Sequence, residues 1–407
     1  MKKRALIIIG IVVAAIALFG LYLVYLNFFV NQHRLTLDHK TVTTSEYRNI
    51  AAESSIMPSY MWRRMQNILM DGDYLMSDYM LEGRLAGQDA EPSGKFLLAD
   101  QSDLLLRYLA SSDRSSARSL VKAVNRDFRN ENGSYRAAFY KDGTEDTSYT
   151  NSDEMIFLEA YIEYYSAYGS KDDLTNIQGL MRILFDDSGM IKPEQLKGTT
   201  YVDDISEEEE SYVFTGVKIA DINLELISNL EKNGMLPAGI TDKYKGIVKG
   251  ALVSAEVPYY AYAYVVKDSG DIDYVYAGNE AATISIADSL RTMINLARVD
   301  ELPQGVYYQF KTDLINEGIL RADYSLMTNN LGGDEIPDSY CDALQLAKLE
   351  EDTDLFSTLC RILAVRVATK SDSPAIYLIF HNVNNRYIFY THENIKTYLV
   401  VNGMFAV

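Results

Sequence analysis

Five times along the chain an apolar-periodic segment gives way to a glycine and a few extended residues. The phrases are Asp71-Gly-Asp-Tyr-Leu-Met-Ser-Asp-Tyr79, Glu131-Asn-Gly-Ser-Tyr-Arg-Ala-Ala-Phe139, Asp187-Ser-Gly-Met-Ile-Lys-Pro193, Lys232-Asn-Gly-Met-Leu-Pro237 and Asn316-Glu-Gly-Ile-Leu-Arg-Ala-Asp-Tyr324. A glycine just past a helix relieves the strain of a left-handed C-cap, so each phrase reads as a helix end followed by a short extended piece. The segments before and between them carry apolar stripes at three- and four-residue spacing: Trp62, Met65 and Leu69; Leu104, Leu105, Tyr108 and Leu109; Met155, Leu158, Ile162 and Tyr165; Ile219, Leu226 and Leu230; Ile284, Leu290, Met293 and Leu296. That period is the mark of half-buried helices. Second helices are predicted at 114–129, 172–185 and 302–316. A lone hairpin cannot bury both of its faces. A closed ring of hairpins can, with inner helices on the axis and outer helices covering them. The reading is an all-α fold, an (α/α)6 toroid of helical hairpins; an open superhelix is the alternative, and the irregular spacing of the phrases speaks against a short-period solenoid.

Composition bounds the partners. The chain has 407 residues, 48 % of them hydrophobic and 23 % charged, and a net charge of -19. Such an acidic surface repels nucleic acid and anionic membrane surfaces, tolerates a neutral glycan and suits a cationic polymer. Residues 1–4 are basic and 5–30 are apolar except for Asn27. That run exceeds the roughly 20 residues that span a bilayer, and small residues lie mid-run rather than at a cleavage site. It reads as an uncleaved transmembrane signal anchor, with residues 1–4 cytoplasmic and the bulk of the chain extracellular on a single-pass cell-membrane protein; a cleaved signal is the alternative. Residues 31–58 read as a polar stalk with a short helix, 59–370 as the toroid and 371–407 as a β-rich extension packed on it. The two cysteines, Cys341 and Cys360, fall in predicted helices and read as buried thiols rather than a bridge. His33, His39, His381 and His392 lie near the chain ends without metal-ligand spacing, so neither a metal nor a cofactor is expected. Asp71-Gly-Asp73 has a calcium-loop flavour, but Leu75 and Met76 occupy positions that need a ligand and a turn glycine.

Two segments interrupt the helices. Tyr201-Val-Asp-Asp-Ile-Ser-Glu-Glu-Glu-Glu210 reads as a solvated acidic loop. Ala375–Phe380, Arg386–Tyr390 and Thr397–Val401 read as strands, with a turn at 382–385.

A toroid of hairpins presents its site where inner-helix N-termini meet loops. Three stretches fall there: Leu98-Ala-Asp-Gln-Ser-Asp-Leu-Leu-Leu-Arg107, Tyr149-Thr-Asn-Ser-Asp-Glu-Met155 and Tyr274-Val-Tyr-Ala-Gly-Asn-Glu-Ala-Ala282. Asp100 and Asp103 lie one turn apart, and Asp153 and Glu154 open the second helix. Carboxylates in a first turn are favoured by the helix dipole whatever their function, so capping competes with chemistry at each.

The order of these stretches resembles glycoside hydrolase family 8, in particular a divergent bacterial branch encoded beside exopolysaccharide synthesis genes. The likeness covers roughly 60–366 and is clearest in Gly216-Val-Lys-Ile-Ala-Asp221, Lys232-Asn-Gly-Met-Leu-Pro237, the 276–296 region and Asp338-Ser-Tyr340. It implies an (α/α)6 barrel that cleaves β-1,4-linked glucans or related chains with inversion, using a glutamate acid and an aspartate base held apart with room for a water. Carried over by position, Asp100 stands where the family has its acid glutamate, one methylene shorter. Asp153 and Glu154 match paired aspartates, with Ile156 in place of an arginine. Glu280-Ala281 matches the Tyr-Asp pair, so the base is missing unless a small register shift gives Glu280 that role. Asp100 and Glu280 are therefore the catalytic candidates, and Asp103, Asp153, Glu154, Asp221, Tyr276 and Tyr340 the substrate-binding ones.

The chain has one tryptophan and 31 tyrosines. Tyr259-Tyr-Ala-Tyr-Ala-Tyr264 could line a sugar groove or form a buried strand edge. Three functions remain open at this level. One is a degenerate, membrane-anchored glycosidase-like protein that binds a β-linked polysaccharide in exopolysaccharide synthesis or export. Another is an active inverting hydrolase trimming that polymer, with Asp100 as acid and Glu280 or Asp221 as base. The third is a protein-interaction subunit docking exopolysaccharide synthesis proteins.

Overall fold

The structure is a computed structural model that describes residues 15–22, 24, 35–82, 91–144, 150–203, 208–276, 283–383 and 386–403. In chain order the helices from residue 35 onward are α1 (Ser45–Glu53), α2 (Pro58–Ile68), α3 (Leu98–Ala110), α4 (Arg114–Asp127), α5 (Asn151–Tyr168), α6 (Lys171–Leu184), α7 (Leu224–Lys232), α8 (Ile240–Gly250), α9 (Ile286–Ala297), α10 (Gln304–Glu317), α11 (Tyr340–Leu349), α12 (Thr353–Ala364) and α13 (Thr391–Asn402). Among the described residues α3, α5, α7, α9, α11 and α13 form the inner ring, and α2, α4, α6, α8, α10 and α12 cover it. The ring closes because α13 packs on both α11 and α3. The superhelix alternative is thereby excluded.

The closing helix corrects the sequence reading. Thr397–Val401 is helical, not a strand, and α13 is the last inner helix rather than part of a β extension. As a fully enclosed helix it is apolar on several faces, with Ile395 and Leu399 to Val401 all buried. Its helical period is therefore blurred and its β-branched residues imitate a strand. Its polar residues are buried too and hydrogen-bonded: the Asn394 side chain accepts from Ile379 N at 2.8 Å and donates to Ile379 O at 3.0 Å. Of the other expected strands, Arg386–Tyr390 is one; it pairs with His381–Val383 and with Asp78–Glu82. Ala375–Phe380 is mostly turn, with an isolated bridge between Val367 and Ile379.

The acidic insertion is also not a plain loop. It lies across the arms of a long hairpin, Glu194–Asp203 against Glu208–Lys218, which joins Ala263–Val266 and Ile272–Val275 in one antiparallel sheet. That hairpin leads directly into the short 3-10 turn Ile219–Asp221 and so places Asp221 beside the axis.

Each glycine of the five phrases has positive φ. Gly318 is the C-cap of α10 and Gly234 follows α7 by two residues, whereas Gly189 sits in a turn further on. At Gly189 a Cβ would meet Pro237 Cδ at 2.7 Å, so a close approach as well as the φ of 81° requires glycine there.

Residues 35–44 do not form a free stalk. They run as an extended strap across the C-terminal ends of the inner helices. Thr36 N and Asp38 N donate to the side chains of Asn233 and Asn229 at 2.9 and 2.8 Å. Ser166 Oγ donates to Leu35 O at 2.9 Å, and Lys40 Nζ donates to Ala297 O at 3.0 Å. His39 sits between Glu163 and Glu225, at 2.8 and 3.4 Å. Its hydrogen bonds to both carboxylates raise its pKa to about 10. Of the apolar run 5–30, residues 15–22 and 24 are described and helical, and the remainder lies outside the described residues. Among the described residues no helix is long and apolar enough to cross a membrane. Cys341 and Cys360 are free and buried, as expected.

Candidate functional site

The inner helices surround two adjoining cavities that share His392. The first lies on the axis and measures about 110 Å³. Its wall takes residues from all six inner strokes of the chain, among them Asp103, Glu159, Asp221, Arg291, Gln345 and Lys396. The second, about 460 Å³, lies between the starts of α3 and α13 and is bordered by Asp78, Lys95, Asp100, Asp338, Tyr390 and Glu393. The axial cavity is small beside the roughly 300–1,000 Å³ of ordinary ligand clefts, whereas the second falls within that range.

The start of α3 decides where the carboxylates of its first turns go. The strand Lys95–Leu97, paired with Ala138–Tyr140, runs straight into the helix. Gln101 then clamps the first turn: it accepts from Leu75 N at 2.9 Å and donates to Leu75 O and Leu97 O at 2.8 and 3.0 Å. This fixes Asp100 and Asp103 one turn apart, on the second cavity and on the axis respectively. Asp100 is 0 % exposed, and among the described residues neither of its carboxyl oxygens has a hydrogen-bond partner or reaches solvent. Burial pushes its pKa well above the ordinary carboxylate value, and the nearby Asp103, Asp78 and Asp153 charges add to the push. Its carboxyl is enclosed although it borders the second cavity.

Asp103 faces the axis, with His392 Nδ1 3.8 Å from its Oδ2. Burial raises its pKa to about 7 against the opposing charge of Lys396, with Asp342 and Glu159 adding to the rise. Asp221 is likewise raised by burial, opposed by Lys218 and by a hydrogen bond from Ser152. Around them runs a network of buried charges. Arg298 pairs with Glu159 at 2.8 Å; Asp342 is bound by Lys396 and lies 3.9 Å from Arg291. Burial disfavours the Asp342 carboxylate, but Lys396 and Arg291 outweigh it and hold its pKa below the ordinary value. Burial drives the His392 imidazole down to about 3, with the Lys396 charge adding to the effect, so this histidine is neutral. The arrangement holds a carboxyl group that keeps its proton near neutrality on the same cavity as a second carboxyl. Inverting glycoside hydrolysis uses such a pair, about 6.5–9.5 Å apart.

The other candidates are not gathered here. Asp153 sits in the first turn of α5, where its carboxylate accepts from the hydroxyl of the N-cap, Thr150, at 2.6 Å. Glu154 is fully buried and accepts from Tyr135 N at 2.6 Å, on the side of the 130–136 turn. Burial raises its pKa to about 7. Tyr340 lies in the core, donating to Glu335 at 2.6 Å and accepting from Leu320 N at 3.0 Å, and it lines neither cavity. Tyr276 is half-buried beside Tyr274, with ring centroids 6.4 Å apart, and also lines neither. Glu280 and Ala281 lie outside the described residues. Tyr259, Tyr260 and Tyr264 are buried, which makes that run a core strand edge rather than a groove.

Sequence reasoning missed Arg291, Lys396, His392 and Asp342. A signal existed for two of them. Arg291 interrupts the apolar stripe of α9, and Lys396 is the one Lys or Arg of the largely buried helix α13; a charge on a buried face needs a partner. Asp342 offered no signal, since a first-turn carboxylate is ordinary.

No protein-family model matches the sequence, and no curated protein does. Solved structures match across nearly their full lengths. A structure described as a novel alpha-amylase from Clostridium perfringens superposes with a TM-score of 0.64 at 15 % identity, covering 85 % of this chain and 98 % of that one. PssZ from Listeria monocytogenes gives 0.53 at 10 % identity, covering 91 % and 97 %. A reducing end xylose-releasing exo-oligoxylanase gives 0.53 at 10 % identity, covering 90 % and 96 %. At such identities the likeness establishes architecture. The chain has the glycoside hydrolase family 8-like six-hairpin fold, as the resemblance of its motifs implied.

Proposed function

We propose that the chain is a membrane-anchored, extracellular glycosidase-like protein that binds a β-linked polysaccharide during exopolysaccharide synthesis or export, with hydrolysis lost. The observation that carries the loss is the enclosure of Asp100. A general acid must come within hydrogen-bond reach of the glycosidic oxygen, and these carboxyl oxygens have no accessible surface. The shorter side chain compounds this, since a displacement of about 1 Å can cost on the order of 100-fold. Binding is supported by the second cavity, where Asp78, Asp338 and Tyr390 offer acceptors and donors for sugar hydroxyls. The anchor is supported by the apolar run 5–30 and by the described part of it: Ile16, Leu18, Phe19 and Leu21 are each between 62 and 67 % exposed, a surface that water does not tolerate and lipid does. The link to exopolysaccharide rests on the resemblance of the motifs.

A second reading is favoured by one observation. Asp103, pushed to about 7, shares the axial cavity with Asp221. An active inverting hydrolase would then use Asp103 as acid and Asp221 as base. The test is reducing-end release by the full chain in detergent on cello-, xylo- and malto-oligosaccharides, the last two because of the activities named for the structural neighbours. The degenerate reading expects binding without release. Release that Asp103→Asn and Asp221→Asn both abolish, while Asp100→Asn leaves it intact, establishes the second reading instead.

A further inference from the structure

The strap decides which end of the toroid can meet a membrane. Its anchoring points are Ser166 near the end of α5, Glu225, Asn229 and Asn233 on and just past α7, and Ala297 at the end of α9. Ser166, Asn229, Asn233 and Ala297 belong to the C-terminal end of the inner ring, and Glu225 lies in the first turn of the short helix α7. The second cavity lies at the other end, among Asp78, Lys95, Asp338 and Tyr390, whereas the axial cavity runs between the ends and reaches Arg298. The strap is held by more than contact: His39 is clamped between two carboxylates, and Lys232 pairs with Asp38 at 2.7 Å. The chain therefore leaves the toroid toward residue 34 from a fixed place on the closed end.

We infer that the protein stands on the bilayer on its strapped end and presents its second cavity away from the membrane, toward polymer arriving from outside. This rests on the proposed anchor at 5–30. Covalent reach sets the scale. From Val30 to Leu35 the chain can extend at most ~18 Å, at roughly 3.3–3.6 Å per residue. The inner helix α5, with 18 residues, adds about 27 Å at 1.5 Å per residue. The strapped end is thus tethered within a few water layers of the headgroups, while the cavity mouth stands a full helix length beyond it. A polymer lying on the membrane surface could not reach the site; one extended from the surface could.

The experiment places a small fluorophore on single introduced cysteines of the full chain in nanodiscs with spin-labelled headgroups. The native thiols are buried and stay silent. Asp172→Cys lies in the first turn of α6, beside the strap, and Asp142→Cys lies in the exposed turn that precedes α5 at the open end. The expected result is loss of emission at position 172 and none at 142. Equal quenching at both, or the reverse order, overturns the orientation while leaving the anchor standing. A chain that never enters the nanodisc overturns the anchor and the orientation together.

Discussion

Asp103→Asn should stabilise the protein, and by an amount that grows with pH. The carboxyl is 6 % exposed and pushed from the ordinary 3.8 up to about 7. Below the lower value both native and unfolded chains hold the proton and the group contributes nothing. Between the two values the unfolded chain ionises first, so the native state binds more protons and stability falls as pH rises. Above the higher value the loss is complete: about 4 kcal/mol as an upper bound, at about 1.4 kcal/mol per pH unit. Asparagine fills the same volume and does not titrate. Its gain over the parent should be about 2 kcal/mol at pH 5.5 and about 4 kcal/mol at pH 8.5. Urea unfolding followed by Trp62 reads this directly, because that sole tryptophan is buried with the Arg107 guanidinium 4.1 Å above its ring. A gain that does not change with pH, or a variant less stable than the parent at pH 8.5, refutes the reasoning. Either result would mean that Asp103 is ionised and satisfied on the axis.

The strap gives the opposite pH sign. His39 is raised to about 10 by its two carboxylates, so its contribution is whole below the ordinary 6.5 and is lost as pH rises through about 10. His39→Gln should cost about 1.5–3 kcal/mol at pH 6 and progressively less toward pH 10.5, read from paired urea midpoints. Lys396→Met strands the Asp342 carboxylate and should cost about 3–5 kcal/mol, much of it recovered by adding Asp342→Leu; thermal unfolding of the two variants checks both halves. Gly234→Ala, which has open space around its Cβ, should cost about 1 kcal/mol, and Gly189→Ala more, because its Cβ also meets Pro237; equal losses would count against the close approach. Cys341 and Cys360 should not react with a thiol reagent until the chain unfolds, since burial raises both thiols, Cys360 to about 12.

Much of the toroid was legible because half-buried helices keep their period. The stripes through Leu104 and Tyr108, through Leu158 and Ile162, and through Leu290 and Met293 each mark an inner helix, and Gly318 marks an end. The sixth inner helix was hidden for the reason that makes it central: enclosed on several faces, α13 has no polar side to set a phase. The strap was hidden because its partners are backbone groups and distant amides, Asn229 and Asn233, which sequence spacing does not reveal. In the site, Asp100 and Asp103 were legible as a pair one turn apart. Their division between two cavities was not, because it follows from the Gln101 clamp on Leu75. Asp221 lies on the axial cavity, while Asp153 is engaged with Thr150, the N-cap of its helix. Tyr340 was a candidate only through the resemblance of Asp338-Ser-Tyr340; its hydroxyl donates to Glu335 and accepts from Leu320 N.

The central claim is a glycan-binding toroid without turnover, and one paired measurement tests it most directly. The full chain is titrated with a β-linked oligosaccharide by calorimetry, and the same samples are assayed over long incubation for new reducing ends. The account predicts heat of binding that Asp78→Asn or Tyr390→Phe weakens, with no reducing ends above a no-protein control. Sustained release of reducing ends, abolished by Glu280→Gln or by Asp103→Asn, would contradict it and make the chain a working hydrolase.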